Sequence, residues 1–223
     1  MPLSTGLIAF WADFRDEDIQ ALRQWHNCEH MSERVNIPGF RVGRRYRGFD
    51  RAATFLMYYE TDTPEILASG PYQQALNNPT SWTKDTLKLF QNPARAIFVL
   101  VDEAGITPHE PAFFLATMRF NLSGDTDSVV AEYREHVLRA FAQQDAVVRA
   151  RLWEQKESIS AIKTQESRIY GDGPGRQQFV LFVEAMKKVN LIMPDSIVGL
   201  SRKSRAAHTS VISEVGWLDF ALR

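Results

Sequence analysis

The chain repeats one order of predicted elements, and this repetition restricts its fold more than any other feature. Each half begins with an apolar strand, continues with an amphipathic helix and two further strands, and closes with helical material and a last strand. In the first half these elements are predicted at residues 7–14, 16–35, 40–47, 54–60 and 94–101. In the second half they are predicted at residues 113–120, 127–143, 147–155, 179–186 and 210–222.

The repeated order βαββαβ is that of the ferredoxin-like split βαβ arrangement, in which antiparallel strands carry helices on one face. Strands such as TFLMYYE and FVLFVEA are apolar on both sides, so the second face of each sheet needs a cover. We therefore expect an α+β protein of two tandem ferredoxin-like βαββαβ units whose antiparallel sheets cover each other. The predicted domains are residues 1–106 and 107–223, and residues 156–178 are predicted to form an exposed loop.

Composition and charge limit the possible partners. The 26 Lys and Arg residues nearly balance the 27 Asp and Glu residues, which gives no electrostatic reason to expect nucleic acid or an anionic membrane. No apolar run approaches the roughly 18 residues that span a bilayer. Cys28 is the single cysteine, and the first residues lack a basic, apolar leader, so a cytoplasmic location is expected. A small molecule is the expected partner, and both a monomer and a homodimer stay open.

The motif His26-x-x-Glu29-His30 lies in the first predicted helix and matches the H-x-x-E-H pattern of some zinc proteases. Those enzymes need a third protein ligand from a second helix, and the sequence offers no obvious one. His26 and His30 could still bind a divalent metal together with Glu29 or Glu33, and this alternative stays open. We assign no metal ligand from the sequence.

Helical periodicity predicts a catalytic role for the same motif. At 3.6 residues per turn, His26, Glu29, His30 and Glu33 lie along one side of the helix. His30 precedes an Ile-Pro-Gly turn, where a helix end opens onto a loop. A neighbouring carboxylate, Glu29 or Glu33, would orient its ring and raise its basicity. We therefore predict His30 as a catalytic base with Glu29 and Glu33 as its partners.

The predicted strand at residues 40–47 adds a charged group. Arg44 interrupts an apolar row formed by Phe40, Val42 and Tyr46, and a buried guanidinium requires an anion. Either an internal glutamate, such as Glu60, or a substrate carboxylate could supply it. Nearby aromatic side chains suit a small hydrophobic ligand. The predicted substrate-binding residues are His26, Arg44, Tyr46, Tyr58, Tyr72 and Trp82.

The first half resembles the dimeric α/β-barrel superfamily, particularly EthD-like and related uncharacterised bacterial proteins. The resemblance rests on the pattern W-x-x-x-E-H-x-x-E-R at residues 25–34 and on the segments IPGF, RRY, SGPY and NPTSWT. It implies that the two sheets form such a barrel within one chain. It also implies a cavity between a sheet and its helices, with a histidine matching His30 near the end of the first helix. The second half lacks the E-H-x-x-E-R pattern, which suggests a degenerate copy.

The sequence supports three functional hypotheses. The first is a cofactor-independent enzyme of lyase, isomerase or decarboxylase type that acts on a small aromatic or hydrophobic catabolite by histidine-based proton transfer. The second is a non-catalytic accessory protein that binds such a molecule. The third is a metal- or haem-dependent oxygenase, because the superfamily includes haem users. No glycine-rich phosphate loop follows a strand, so a nucleotide, flavin or nicotinamide cofactor is not expected.

Overall fold

A computed structural model describes residues 4–49, 55–106, 111–171 and 175–223. In these ranges eight strands form a closed antiparallel barrel in the order β1-β3-β2-β8-β5-β7-β6-β4. The strands are β1 Gly6–Asp13, β2 Phe40–Gly48, β3 Phe55–Thr61, β4 Gln91–Gly105, β5 Phe114–Leu122, β6 Val147–Gln155, β7 Phe179–Ala185 and β8 His208–Leu222. The predicted α+β class and the tandem βαββαβ order are confirmed.

The helices of the first repeat follow β1 and β3. They are α1 Ile19–Trp25, α2 Met31–Val35, α3 Gly70–Asn77 and α4 Ser81–Leu87. The remaining helices are α5 Thr126–Glu132, α6 Leu138–Ala142, α7 Glu157–Ser160, α8 Gln165–Tyr170 and α9 Arg202–Ala206. Within the described ranges, no helix is both long enough and apolar enough to cross a membrane.

The helix predicted at residues 16–35 is confirmed, but its middle turn is wider than an α-helix. A π-helical segment, His26–His30, joins α1 to α2, and the backbone N–H of Met31 donates to the carbonyl oxygen of His26. Such i→i+5 turns contain one extra residue and are frequent at functional sites. The extra residue shifts the residues before the turn relative to those after it around the helix axis, which counting at 3.6 residues per turn does not reveal.

The same wide turn recurs in the second repeat, where Tyr133–Val137 joins α5 to α6. This recurrence supports the duplication and fixes the alignment of the two helices. His26 corresponds to Tyr133 and His30 to Val137. The second repeat therefore has neither histidine of the first at these two positions.

One compact unit comprises Met1–Val99, Gln155–Arg176 and Asp219–Arg223. In its sheet β1 pairs with β3 and β4, and Ile8 lies between Tyr59 and Ile97. These three side chains belong to one buried apolar cluster with Met31 of α2. The helices therefore cover the face of this sheet that carries Ile8 and Tyr59.

A β-bulge in β2 changes the predicted faces of that strand. The register between β2 and β3 shifts between Phe40 and Val42. As a result Phe40 packs with Tyr59 and Tyr72 on the helix-covered face. The prediction that Phe40 shares a face with Arg44 and Tyr46 is wrong, because the bulge adds one residue and reverses the alternation.

The segment 156–178 is predicted to be an exposed loop, and this prediction is wrong for its described residues. The segment contains α7 and α8, and residues 155–176 belong to the compact unit that contains the first repeat. The Ser160 hydroxyl accepts a hydrogen bond from the backbone N–H of Ile97 at 2.9 Å, and Glu166 is 5% exposed. The glycine-rich turn predicted in this segment lies largely outside the described residues.

The other compact unit comprises Leu100–Glu154 and Gln177–Leu218. In its sheet β7 pairs with β5 and β6, and β5 also pairs with β8. Buried Arg149 and Arg151 both contact the Glu184 carboxylate, at 2.6 and 3.3 Å. Both arginines thus have a carboxylate partner within this unit. The predicted domain boundary between residues 106 and 107 stays a prediction.

Candidate active site

A cavity lies between the helix-covered face of the first unit's sheet and the helices above it. Its volume is about 40 Å³, so a ligand of ring size requires the surrounding side chains to move apart. Its apolar walls are Ile8, Phe10, Trp25, Met57, Leu76, Leu87 and Phe90. Its polar groups are His26, His30, Arg34, Tyr59, Tyr72, Arg95, Glu166 and Tyr170. Aromatic and aliphatic walls with convergent polar groups are typical of a site for a small molecule.

His30 lies at the end of the π-helical segment and borders this cavity. Its ring packs on Trp25, with 4.3 Å between ring centroids. Its buried Nδ1 atom has no hydrogen-bond partner among the described residues. Burial, and then the positive charge of Arg34 and the neighbouring His26, hold the pKa of His30 well below its ordinary value. The ring is therefore neutral at neutral pH and has a lone pair that can accept a proton.

His26 lies one turn earlier and is 1% exposed. The hydroxyl of Tyr59 lies 3.1 Å from its Nε2 atom, and its Nδ1 atom has no partner among the described residues. Burial, with the charges of Arg45 and Arg34, lowers the pKa of His26 well below its ordinary value. Burial likewise raises the pKa of Tyr59. Both groups are therefore neutral at neutral pH.

A buried ion pair closes another side of the cavity. Arg34 Nη2 donates to the Glu166 carboxylate at 2.5 Å, and Glu33 lies 3.2 Å from the same guanidinium at Nη1. Burial alone lowers the pKa of Arg34, but Glu166 and the other neighbours outweigh burial and raise it. The guanidinium also lies over the Tyr72 ring, 5.7 Å from its centroid. Arg34 is thus a fixed positive charge beside both histidines.

Glu29 reaches the site only indirectly. Its carboxylate accepts hydrogen bonds from the hydroxyls of Thr80 and Thr83, at 2.7 and 2.8 Å. The Thr83 hydroxyl in turn accepts a hydrogen bond from Trp25 Nε1 at 3.0 Å. Glu29 therefore holds the indole on which His30 packs, and forms no hydrogen bond with His30 itself.

Of the nine predicted site residues, the structure places His26, His30 and Tyr72 at the cavity. Arg44, Tyr46 and Tyr58 lie on the opposite sheet face, because residues of a strand alternate and Tyr59 faces the cavity. There Arg44 donates to the Tyr58 hydroxyl at 2.9 Å and lies 3.9 Å from Glu60. The internal pairing of Arg44 is thus present.

The other three predicted residues lie near the cavity without lining it. Glu33 pairs with Arg34, and Glu29 bonds the two threonines. Trp82 lies on α4 and is 42% exposed. Its neighbour Thr83 is the residue of α4 that connects Glu29 to Trp25.

The sequence did not indicate several groups that line the cavity. Arg34 belongs to the motif that carries the histidines, and Tyr59 is adjacent to the predicted Tyr58, so the choice of strand face decided that error. Arg95 lies opposite Phe10 in the pairing of β1 with β4. Glu166 and Tyr170 have no sequence signal, because they come from a segment far along the chain that packs onto the first repeat.

Comparison with known proteins bears on the fold. No protein-family model matches the sequence, and no curated protein sequence matches it. The structure is similar to that of an anthrone oxidase-like protein, with a TM-score of 0.59, 9% identity, and coverage of 98% of this chain and 92% of that one. A monooxygenase-like protein from Fusobacterium nucleatum gives a TM-score of 0.56, 9% identity, and coverage of 99% and 95%.

A monooxygenase-like protein from Lactobacillus acidophilus gives a TM-score of 0.57, 6% identity, and coverage of 97% and 95%. These neighbours are dimeric α/β-barrel proteins, matched over almost the whole chain. The chain has the dimeric α/β-barrel fold. The resemblance to this superfamily is thereby confirmed at the level of the fold, whereas the narrower likeness to EthD-like proteins stays a prediction.

Two cofactor hypotheses, a metal ion and a haem, concern the residues at the cavity. The described parts of the chain contain no cluster of three or more His, Cys, Asp or Glu side chains that could hold a metal ion. The two-histidine metal site stays a prediction. The haem alternative likewise stays a prediction.

Proposed function

We propose that the protein is an enzyme that removes a proton from a small aromatic or hydrophobic molecule, with His30 as the base. The proposal rests on the state of His30, which is neutral, borders the cavity, and has a buried ring nitrogen without a hydrogen-bond partner among the described residues. A base in this state is ready to accept a proton and need not first lose one. In an apolar enclosure, the positive charge of Arg34 stabilises the anion that deprotonation leaves.

Two further contacts position this base. The ring of His30 packs on Trp25, and Trp25 is fixed through Thr83 to Glu29. Glu29 is thus a positioning residue that acts through the indole, which modifies the direct partnership predicted from the sequence. His26 and Tyr59 form a neutral pair beside it and can receive or return a proton through their hydrogen bond.

The names of the structural neighbours favour dioxygen as the second reactant. In that reaction the substrate anion transfers electrons to dioxygen, and an activated CH₂ group becomes a C=O group while the second oxygen atom leaves as water. One CH₂ and one O₂ then balance one C=O and one H₂O. The lyase and isomerase hypotheses share the deprotonation step and differ in the fate of the resulting anion. A decarboxylase instead forms its anion by loss of CO₂ and then needs a proton donor.

The test separates the two steps. Anthrone and β-tetralone, both with an activated CH₂ group, are incubated with the protein in D₂O without dioxygen, and C–H exchange is monitored by NMR. The same probes are then given dioxygen, and ketone formation and oxygen uptake are measured. We expect exchange without dioxygen, and oxidised product only with it.

His30→Ala should lower both rates by about 10²–10⁴-fold, the usual contribution of a general base. The matched control is His136→Ala, because His136 has a 60% exposed side chain in the other unit. Unchanged rates in a folded His30→Ala protein would refute the proposal. Binding of either probe without exchange or turnover would instead support the accessory-protein hypothesis.

A further inference from the structure

Arg95 of β4 is a buried cation at the cavity without a carboxylate partner. It is 9% exposed and lines the cavity. Among the residues that the structure describes, no Asp or Glu oxygen lies within ion-pair distance of its guanidinium. Its electrostatic neighbours are the hydroxyls of Tyr72 and Tyr170 and the more weakly interacting Glu166. Tyrosine hydroxyls can accept its hydrogen bonds but do not balance its charge.

The other buried arginines on this side of the sheet differ from Arg95. Arg34 contacts Glu166 and Glu33, and Arg45 contacts Asp219 at 2.7 Å. Each therefore has at least one carboxylate within ion-pair distance. A buried charge without such a partner is strongly unfavourable, and folded proteins rarely keep one that has no ligand to bind.

Among the groups that line the cavity, the cations outnumber the carboxylates by one. Arg34 and Arg95 are cations, Glu166 is the buried anion, and both histidines are neutral. Glu33 lies further out, with a 36% exposed side chain, and is 3.2 Å from Arg34 Nη1 without forming a hydrogen bond to it. A single negative charge on the ligand would complete the balance. The planar guanidinium and the two tyrosine hydroxyls offer several donors for such a group.

We propose that Arg95 binds the carboxylate of a small aromatic acid, with Tyr72 and Tyr170 donating further hydrogen bonds to the same group. This inference rests on the proposed function insofar as it takes the cavity for the substrate site. It narrows the substrate class from small aromatic or hydrophobic molecules to monoanionic aromatic acids. It assigns Arg95 to specificity, while His30 keeps the proton transfer.

The probes are benzoate and benzamide, which have almost the same shape but differ in charge. Binding to the full chain is measured by calorimetry, and the melting temperature is measured with and without each probe. We expect benzoate to bind at least 10-fold more tightly than benzamide, and to raise the melting temperature where benzamide does not. Arg95→Met should abolish this preference, and Arg95→Lys should retain part of it.

Arg41→Met is the matched control, because Arg41 is an exposed arginine of the same unit that pairs with Asp62. It should keep the preference for benzoate. Without ligand, Arg95→Met should melt no lower than the wild type, since it removes a buried charge that has no carboxylate partner. Equal binding of both probes, no binding of benzoate, or an unchanged preference in Arg95→Met would overturn the proposal.

Three further outcomes are decisive. If Arg95→Met and Arg95→Lys both fold poorly or melt many degrees lower, Arg95 is a structural residue and the proposal fails. Binding of benzoate that depends on Arg95, without any exchange of anthrone or β-tetralone, would support the anion site while contradicting the proposed catalysis. Exchange that depends on His30, without a preference for benzoate over benzamide, would support the proposed catalysis while contradicting the anion site.

Discussion

The hydroxyl oxygen of Tyr59 lies 3.1 Å from Nε2 of His26, and this contact joins the central strand β3 to the π-helical turn. Tyr59→Phe should remove it and leave His26 with both ring nitrogens unpaired. We expect a loss of about 1 kcal/mol of unfolding free energy, the usual net contribution of one hydrogen bond. Turnover of β-tetralone should fall several-fold. Urea denaturation and steady-state kinetics measure the two effects.

The matched control for this variant is Tyr58→Phe. Tyr58 is buried on the opposite face of β3 and accepts a hydrogen bond from Arg44 at 2.9 Å. A similar loss of stability without a loss of turnover is expected. Equal losses of turnover in both variants would contradict the placement of the site on the Tyr59 face.

Glu166→Gln should destabilise the protein more than a typical surface change. It removes the carboxylate beside buried Arg34, and breaking a buried pair costs roughly 3 kcal/mol or more because the remaining charge is uncompensated. Glu33 compensates part of this loss, since it also contacts Arg34. Urea denaturation measures the difference in unfolding free energy.

The control for Glu166→Gln is Asp85→Asn, which breaks the exposed pair of Asp85 with Lys88. Surface pairs of this kind contribute about 0–1 kcal/mol. If both variants lose the same small amount, the Glu166 pair does not bind α8 to the first repeat as the structure indicates.

Stability should depend on pH through the two cavity histidines. The pKa of His26 and of His30 lies well below the ordinary value of 6.5 in the folded chain. Below pH 6.5 the unfolded chain therefore binds more protons than the folded chain, so the stabilisation is present above this pH and is lost as the pH falls. The loss is up to about 1.4 kcal/mol per histidine for each pH unit. Urea denaturation at pH 7.5, 6.5 and 5.5 measures it.

His30→Gln should lower the slope of the unfolding free energy against pH, because it removes one of the two histidines. The reduction corresponds to at most one bound proton, or about 1.4 kcal/mol per pH unit. His136→Gln should leave it unchanged, since the His136 side chain is 60% exposed. His208 contributes a smaller dependence of the same sign in both variants, because burial lowers its pKa as well. An identical slope in wild type and His30→Gln would show that the His30 pKa is not depressed.

Gly43→Ala should destabilise the site by overpacking. A Cβ atom at Gly43 would lie 2.8 Å from Met31 Cγ and 2.9 Å from Tyr59 Cε1. Insertion of a methyl group into a packed core costs typically 1–3 kcal/mol, and displacement of Tyr59 should also lower turnover. Gly70→Ala is the control, because a Cβ atom there meets nothing within 4 Å. Gly70→Ala should leave the unfolding free energy unchanged or raise it by up to about 1 kcal/mol. A larger loss of stability in Gly70→Ala than in Gly43→Ala, measured by urea denaturation, would contradict the packing at Gly43.

The sequence by itself determined the order of elements and the helix that carries the histidines. Strand alternation and helical periodicity are local properties, and the duplicated order βαββαβ leaves few folds that cover both sheet faces. Local patterns also identified His26, His30 and Tyr72, because histidines one turn apart and an aromatic motif are visible along the chain.

Only the tertiary structure decided which groups meet those histidines. A single bulge after Phe40 and one wide turn at His26–His30 changed which side chains face the cavity, and neither leaves a clear local signal. Glu166 comes from a helix more than a hundred residues away and reaches Arg34 only through packing. Arg95 appears in the sequence as one arginine in a strand. The absence of a carboxylate beside it, within the described ranges, depends on which distant side chains fold against it.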